Sequence, residues 1–198
     1  MPTGSYAVVI SAAGMTINRT VAVTDDNAFG YQINLAAGTA VTEWDKDDAD
    51  TATCTLPVDH GYSTGKFDVF WDGGCRYDVD GTVAGNGLAL DGGSGNDFPA
   101  DETAVVVCPP VYLDIEIDGD NLSLFAIEST VLANAWFVDS TNTEVVSLKL
   151  AGSQPQGFYQ TGDAESPLTG NVCEKVWVSN GSTKPGQVTI IGLQKVSA

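Results

Sequence analysis

PVDHGYSTGKFDVFWDGGCRYDVDGTVAGNGLALDGGSGNDFPA, residues Pro57 to Ala100, decides how this chain folds. Lys66 to Trp71, Arg76 to Val83 and Gly87 to Leu90 read as short strands separated by glycine-rich turns. With Ala52 to Leu56 before them and Thr103 to Cys108 after, the pattern predicts five strands in one small barrel or roll. The block holds the only histidine, His60, which has no second histidine and no cysteine at ligand spacing. Asp59 and Ser63 are near it, but neighbouring residues in a strand-to-turn segment point in different directions, and no GxSxG elbow is present. Ser63-Thr64-Gly65 therefore reads as a turn rather than as part of a catalytic triad.

Working outward, period-two alternation continues on both sides. Met15, Ile17, Val21 and Val23 share one face of a strand, with Thr16, Asn18, Thr20 and Ala22 on the other. Tyr31, Ile33 and Leu35 form the next run, ended by Ala37-Gly38, and Val41 with Glu43 and Trp44 suggests a further short strand. DKDDAD, Asp45 to Asp50, reads as a charged turn where the chain leaves one domain for another. Pro109-Pro110 breaks the ladder, because proline donates no backbone hydrogen bond and restricts the residue before it. Beyond it Leu113 to Ile117, the turn Asp118-Gly119-Asp120-Asn121 and Leu122 to Ile127 read as a hairpin. More strands are expected at Trp136 to Val138, Val145 to Leu150, Gly157 to Gln160, Glu174 to Ser179 and Gln187 to Leu193; Glu128 to Trp136 leaves room for one helical turn. The first 44 residues hold too few strands to bury a core alone. The expectation is an all-β chain with almost no helix: residues 1–48 plus 111–198 form a β-sandwich, and residues 49–110 an inserted small β-barrel. Three consecutive mini-domains are the competing layout.

Composition limits the partners. Asp and Glu number 26 against 8 Lys and Arg, a formal charge of −18, and the surface repels nucleic acid and anionic membranes. The acids fall evenly on the two halves, so they read as a solvating skin and not as a tail. The N-terminal stretch MPTGSYAVVISAAG lacks a basic start and its apolar run is broken by Ser11 and Gly14, which predicts no signal peptide and synthesis in the cytoplasm. No window approaches the roughly 18 apolar residues of a spanning helix. Cys54, Cys75, Cys108 and Cys173 form no CxxC pair, so reduced, buried thiols are the expectation. Cys54 and Cys108 would flank the barrel block, and only proximity in space would establish a bridge between them.

Three loops are rich in oxygen ligands. Gly92-Gly93-Ser94-Gly95-Asn96-Asp97 matches the start of a calcium-binding nonapeptide, but as a single copy with Pro99 at an apolar position. Neither Asp45 to Asp50 nor Asp118 to Asn121 fits the twelve-residue calcium loop; in the former, Ala49 and Leu56 stand where oxygen ligands are required. No cofactor and no metal are expected. Trp44, Trp71, Trp136 and Trp177 read as core or subunit-interface anchors, with a sugar-stacking platform as the competing reading. Carboxylate pairs for glycoside hydrolysis meet only in space, and no spacing here points to one.

Two segments resemble the structural proteins of tailed phages. The first carries a DHG-x-STG turn at Asp59, His60, Gly61, Ser63, Thr64 and Gly65, a W-x-GG-x-R-Y hairpin at Trp71, Gly73, Gly74, Arg76 and Tyr77, and a DGG-x-G turn at Asp91, Gly92, Gly93 and Gly95. It is similar to a small β module of those particles, in which the histidine and glycines form turns. The second, Pro167 to Leu193, resembles the final hairpin of phage particle proteins, with Ser179-Asn180-Gly181-Ser182 as its turn. The resemblance implies a non-enzymatic virion structural protein, a capsid decoration protein or a component of the head-to-tail junction or tail. Its partners would be copies of itself and other virion proteins. A receptor- or carbohydrate-binding sandwich is the alternative, and a carboxylate-pair hydrolase a distant third.

Overall fold

In the computed structural model, residues 4–12, 15–23, 26–101, 103–154, 156–159 and 166–195 are described. They form an all-β protein whose single helical element is a 3-10 turn. The first strands, β1 (Gly4–Ala12) and β2 (Met15–Val23), form a regular antiparallel ladder from Gly4 opposite Val23 to Ala12 opposite Met15. Among the described residues neither strand pairs with any other. The side-chain surroundings of both, and with them the alternation expected from Met15 to Val23, lie outside the described residues. β3 (Asp26–Leu35) follows and belongs to the sandwich below.

A curled sheet comes next, built from β4 (Thr39–Ala40), β5 (Glu43–Lys46), β6 (Thr51–Thr55), β7 (Gly65–Trp71), β8 (Gly74–Ala84), β9 (Gly87–Asp91), β10 (Ser94–Gly95) and β11 (Val105–Cys108). Its order is β4-β11-β7-β8-β9-β6-β5, with β10 folded back on β8. The two outermost strands are consecutive in the chain. Val41 N–H donates to Val105 O at 3.1 Å on one edge, and Thr42 N–H to Thr55 O at 2.8 Å on the other, so one short stretch serves both edges. The sheet thus curls until its two end strands, each paired on one side, are joined by Val41 and Thr42. Inside lie Trp44, Ala52, Leu56, Phe67, Val69, Val79, Leu88, Leu90, Phe98, Val105 and Val107. The five strands expected between residues 52 and 108 are all present, but residues 39–46 complete their sheet and do not pair with residues 111–198.

The sandwich sheets are β12-β17-β14-β15 and β16-β13-β18-β3. The first contains β12 (Val111–Asp118), β17 (Val172–Asn180), β14 (Ala133–Val138) and β15 (Glu144–Leu150); the second contains β16 (Gln156–Tyr159), β13 (Leu122–Ser129) and β18 (Gly186–Lys195) with β3. The strand expected to end at Gln160 is seen to Tyr159, and Gln160 lies outside the described residues. Ile33, Ile117, Phe125, Ile127, Phe137, Val176, Val178, Val188 and Ile190 meet between the sheets in one core. Phe125 and Phe137 stack edge to face across it, with centroids 5.7 Å apart. Edge-to-face aromatic pairs contribute about 1 kcal/mol beyond their burial.

Two expected hairpins are corrected. β12 pairs with β17, whereas β13 pairs with β16 and β18, so the 3-10 turn Gly119–Asn121 carries the chain from one sheet to the other. Likewise β17 and β18, on either side of Ser179 to Ser182, lie in opposite sheets. Turn chemistry marks where the chain changes direction, but the apolar faces of the flanking strands are buried by facing each other across the core, not by lying side by side. Glu128 to Trp136 holds no helical turn; the chain bends between β13 and β14.

The crossing from β3 to the barrel is tight. Gly38 N–H donates to Ser182 O at 2.8 Å, and a Cβ there would lie 2.6 Å from both Asn180 O and a Val106 methyl. Asn180, 2% exposed, ties the same crossing down by donating to Ala36 O at 2.7 Å and Lys184 O at 2.8 Å. Gly38→Ala is expected to cost about 1–3 kcal/mol through overpacking against backbone that cannot move aside. Urea unfolding with an unchanged midpoint would contradict this.

Candidate functional site

Alternation along a barrel strand puts every second side chain outside, where water normally covers it. In β7 that rule fails: Phe67, Asp68, Val69 and Phe70 are all buried. Phe67 and Val69 belong to the barrel core, and the outward Asp68 and Phe70 are covered by the sandwich. β14 shows the same signature, with all six residues buried. The two strands mark a seam where the outer face of β14 and β17 meets the barrel. Phe70, Cys75 and Cys108 pack there with Tyr77, Val106 and Leu132.

Asp68 sits at the middle of this seam, fully buried. The β7–β8 register shifts between Phe67 and Val69, and Asp78 has φ 57°, so the bulge leaves Asp78 N–H free to donate to Asp68 Oδ1 at 3.0 Å. Ser179 Oγ of β17 donates to Asp68 Oδ2. Asn134 of β14 faces the same carboxyl and accepts from Ser147 Oγ at 3.0 Å. Burial pushes the Asp68 carboxyl up to about 7, the hydrogen bonds from Ser179 and Asp78 N–H opposing the shift and the nearby Asp78 charge adding to it. Lys66 lies 3.0 Å from Asp78 Oδ1 and 2.9 Å from Asp80 Oδ1 and is spent on those two surface carboxylates.

A row of aromatic rings runs alongside. Tyr112, Trp177 and Trp136 occupy opposed register positions on β12, β17 and β14, with centroids 4.7 Å and 3.9 Å apart in successive pairs. Tyr77 of the barrel continues the row, 5.7 Å from Trp136, and its hydroxyl donates to Glu144 of β15 at 3.1 Å. Burial and then the Glu144 carboxylate push the Tyr77 phenol up to about 12.

The four tryptophans therefore divide. Trp44 is enclosed in the barrel, its indole donating to Pro99 O at 3.2 Å, and Trp136, 2% exposed, is enclosed at the seam. Trp71 lies half-buried over Gly74, and Trp177 is half-buried beside the exposed Tyr112. Trp71 and Trp177 are the two with ring surface left for a partner; Trp44 and Trp136 anchor the chain to itself.

His60 and Arg76 both hold backbone in the turns around them. His60 Nδ1 accepts from Tyr62 N–H at 2.9 Å, which places the ring proton on Nε2, 3.1 Å from Gly85 O. Arg76 of the W-x-GG-x-R-Y hairpin is 8% exposed. Its guanidinium donates to the carbonyls of Gly92, Gly93 and Asn96 and lies 5.3 Å over the Phe98 ring. Carbonyls that a calcium ion would take from the DGG-x-G loop are thus occupied by an arginine. The signal in the sequence was a single arginine between two glycine-rich turns, too common a pattern to be decisive.

The acidic turns also have internal partners. Asp48 accepts from the N–H of Asp50 and Thr51 at 3.0 and 2.8 Å, and bonds to Thr51 foremost hold its carboxyl down at about 2. Asp118 caps the 3-10 turn by accepting from Asp120 N–H. Among the described residues no three His, Cys, Asp or Glu side chains are placed to hold a metal ion. The four cysteines are free and buried, and Cys54 lies in the barrel core whereas Cys108 lies at the seam. Burial pushes the Cys54 thiol up to about 12, so it is held as the unreactive thiol.

Asp68 and Ser179 resemble half of a hydrolytic site, but they are 0% and 1% exposed, and a substrate has no route to either. Their geometry fastens two bodies of the fold together. No protein-family model matches the chain, and no curated protein matches it.

Proposed function

We propose that this protein is a non-enzymatic structural component of a tailed-phage or prophage particle, a capsid decoration protein or a part of the head-to-tail junction or tail. It is made in the host cytoplasm and works by assembling with copies of itself and with other virion proteins. The observation that carries this reading is the contrast between the two bodies of the fold. The curled sheet ends in the short β4 and β5, of two and four residues and bridged by Val41 and Thr42, while the sandwich keeps four strands with one side unpaired among the described residues: β12 and β15 in one sheet, β16 and β3 in the other. Open ladders are where a neighbouring β-chain adds. The turn roles of His60 and the glycines are those the motif resemblance implies, and Arg76 holds the Gly92–Gly93 turn from the neighbouring strand. The acidic surface, with its formal charge of −18, suits contact with protein partners better than with nucleic acid. Mass spectrometry of particles purified from the organism that encodes the chain is expected to find it at a fixed copy number. Its absence from such particles would sink the reading.

A further inference from the structure

Four polar groups gather where the outward face of the β14–β15 ladder meets the barrel. Asn134 stands directly opposite Lys149, and Trp136 opposite Ser147, so these side chains leave the sheet on one face. Ser179 of β17 stands opposite Asn134 on its other side, and its bond to Asp68 places that carboxyl over the same spot. Asn134 is 1% exposed. Its Oδ1 accepts from Ser147 Oγ at 3.0 Å, which draws electron density from the amide carbon. Its Nδ2 is buried with no hydrogen-bond partner and faces the Asp68 carboxyl. This is how an acyl donor is held for acyl transfer: a donor sits where negative charge develops on oxygen, and an acid sits beside the nitrogen that leaves.

A nucleophile lies across the ladder. Directly opposed residues of an antiparallel pair hold their Cβ atoms about 5 Å apart, a gap that the four-carbon stem of Lys149 spans. Among the described residues Lys149 carries no ion pair. Its charge opposes the upward push that burial gives the Cys75 thiol, so its field reaches into the seam, where Cys75 packs with Phe70 and Cys108.

We propose that Lys149 and Asn134 form an intramolecular isopeptide bond, a modification that the chain carries out on itself. Lys149 Nζ attacks Asn134 Cγ, the new C–N bond forms, the Cγ–Nδ2 bond breaks, and the released nitrogen leaves as ammonium. Asp68 carries protons one at a time from Lys149 Nζ to the departing nitrogen, and Ser147 Oγ holds the oxygen of the tetrahedral intermediate. An ammonium and an amide thus become an amide and an ammonium, with no oxidant or co-reactant. A carboxyl pushed up to about 7 both takes up and gives back a proton at neutral pH. Burial closes Asp68 to an outside substrate, but here the substrate is the chain itself, and exclusion of water protects the amide from hydrolysis. The bond clamps β15, an edge strand, to β14 beside the barrel.

Intact-mass spectrometry of the full chain is expected to give a value below the calculated mass by one ammonia, and a protease digest to contain a branched peptide joining Lys149 to Asn134. Lys149→Arg, at an exposed position, and the isosteric Asp68→Asn are each expected to keep their calculated mass and to yield no branched peptide. Succinimide formation at Asn86-Gly87 or Asn180-Gly181 also releases ammonia, so the branched peptide decides. A wild-type chain at its calculated mass overturns the proposal, as does loss of ammonia without a peptide joining Lys149 to Asn134. A branched peptide that persists in Asp68→Asn overturns Asp68 as the proton carrier. Stability comparisons of Asp68 with Asp68→Asn belong in the Lys149→Arg background, where neither chain carries the bond. The cross-link does not depend on the particle reading: a linked chain absent from particles removes that reading alone, and an unlinked chain found in particles removes the bond alone.

Discussion

Replacing Asp68 by asparagine makes the protein more stable than the wild type at pH 8, and the advantage shrinks as the pH falls to 5. In the folded chain the Asp68 carboxyl is pushed up to about 7 from an ordinary 3.8, so between those values the folded state binds a proton that the unfolded state has released. Stability contributed by this group is complete below the unfolded value and is lost as pH rises through about 7. A shift of about three units corresponds to roughly 4 kcal/mol, of which about 3 kcal/mol falls between pH 5 and pH 8. Asparagine fits the seam: its oxygen accepts from Asp78 N–H, and its amide donates to Ser179 Oγ where the carboxylate accepted. The Lys66, Asp78 and Asp80 charges near the group are common to both proteins, so the difference between their urea-unfolding curves isolates Asp68. Parallel stability profiles from pH 5 to 8 would show that the carboxyl is not held neutral at the seam.

Arg76→Ala is expected to lower stability by about 3 kcal/mol, because it removes a buried cation and leaves three loop carbonyls with no donor. For a chain of this size that corresponds to a fall in Tm of about 10 °C. Arg76→Lys recovers only part of the loss, since an ammonium is a single point and not a planar fork that reaches Gly92, Gly93 and Asn96 together. Thermal melts with and without millimolar calcium decide whether the DGG-x-G loop has a second use. The wild type is expected to show no change on adding calcium, and a Tm within about 2 °C of wild type in Arg76→Ala would mean the loop is organised by something else.

Both residues hold parts of the fold together. Arg76 fastens the glycine loop to the barrel, and Asp68 fastens the barrel to the sandwich. His60 fixes its own turn through Tyr62 and Gly85. These three polar groups, which sequence reading would test as ligands or catalysts, are engaged in holding the fold together.

The strands themselves were legible because they are local. Alternation in Lys66 to Trp71 or Gln187 to Leu193 is a property of a few neighbouring residues, and glycine at Gly73 or Gly85, both with positive φ, marks a reversal on its own. The barrel block was legible for the same reason, since its strands from β6 to β9 and β11 follow one another, with two-residue turns joining β7, β8 and β9. What the sequence did not contain was which strand lies beside which. Val41 to Trp44 read as a strand of the sandwich and lie instead at the ends of the barrel's curled sheet, and Asp118 to Asn121 read as a hairpin and cross between sheets. Partners such as Asp68 and Ser179, 111 positions apart, are chosen by the burial of surfaces distant in sequence. Alternation shows that a strand has a face to bury; only the packed structure, where every apolar face must find another, decides against what.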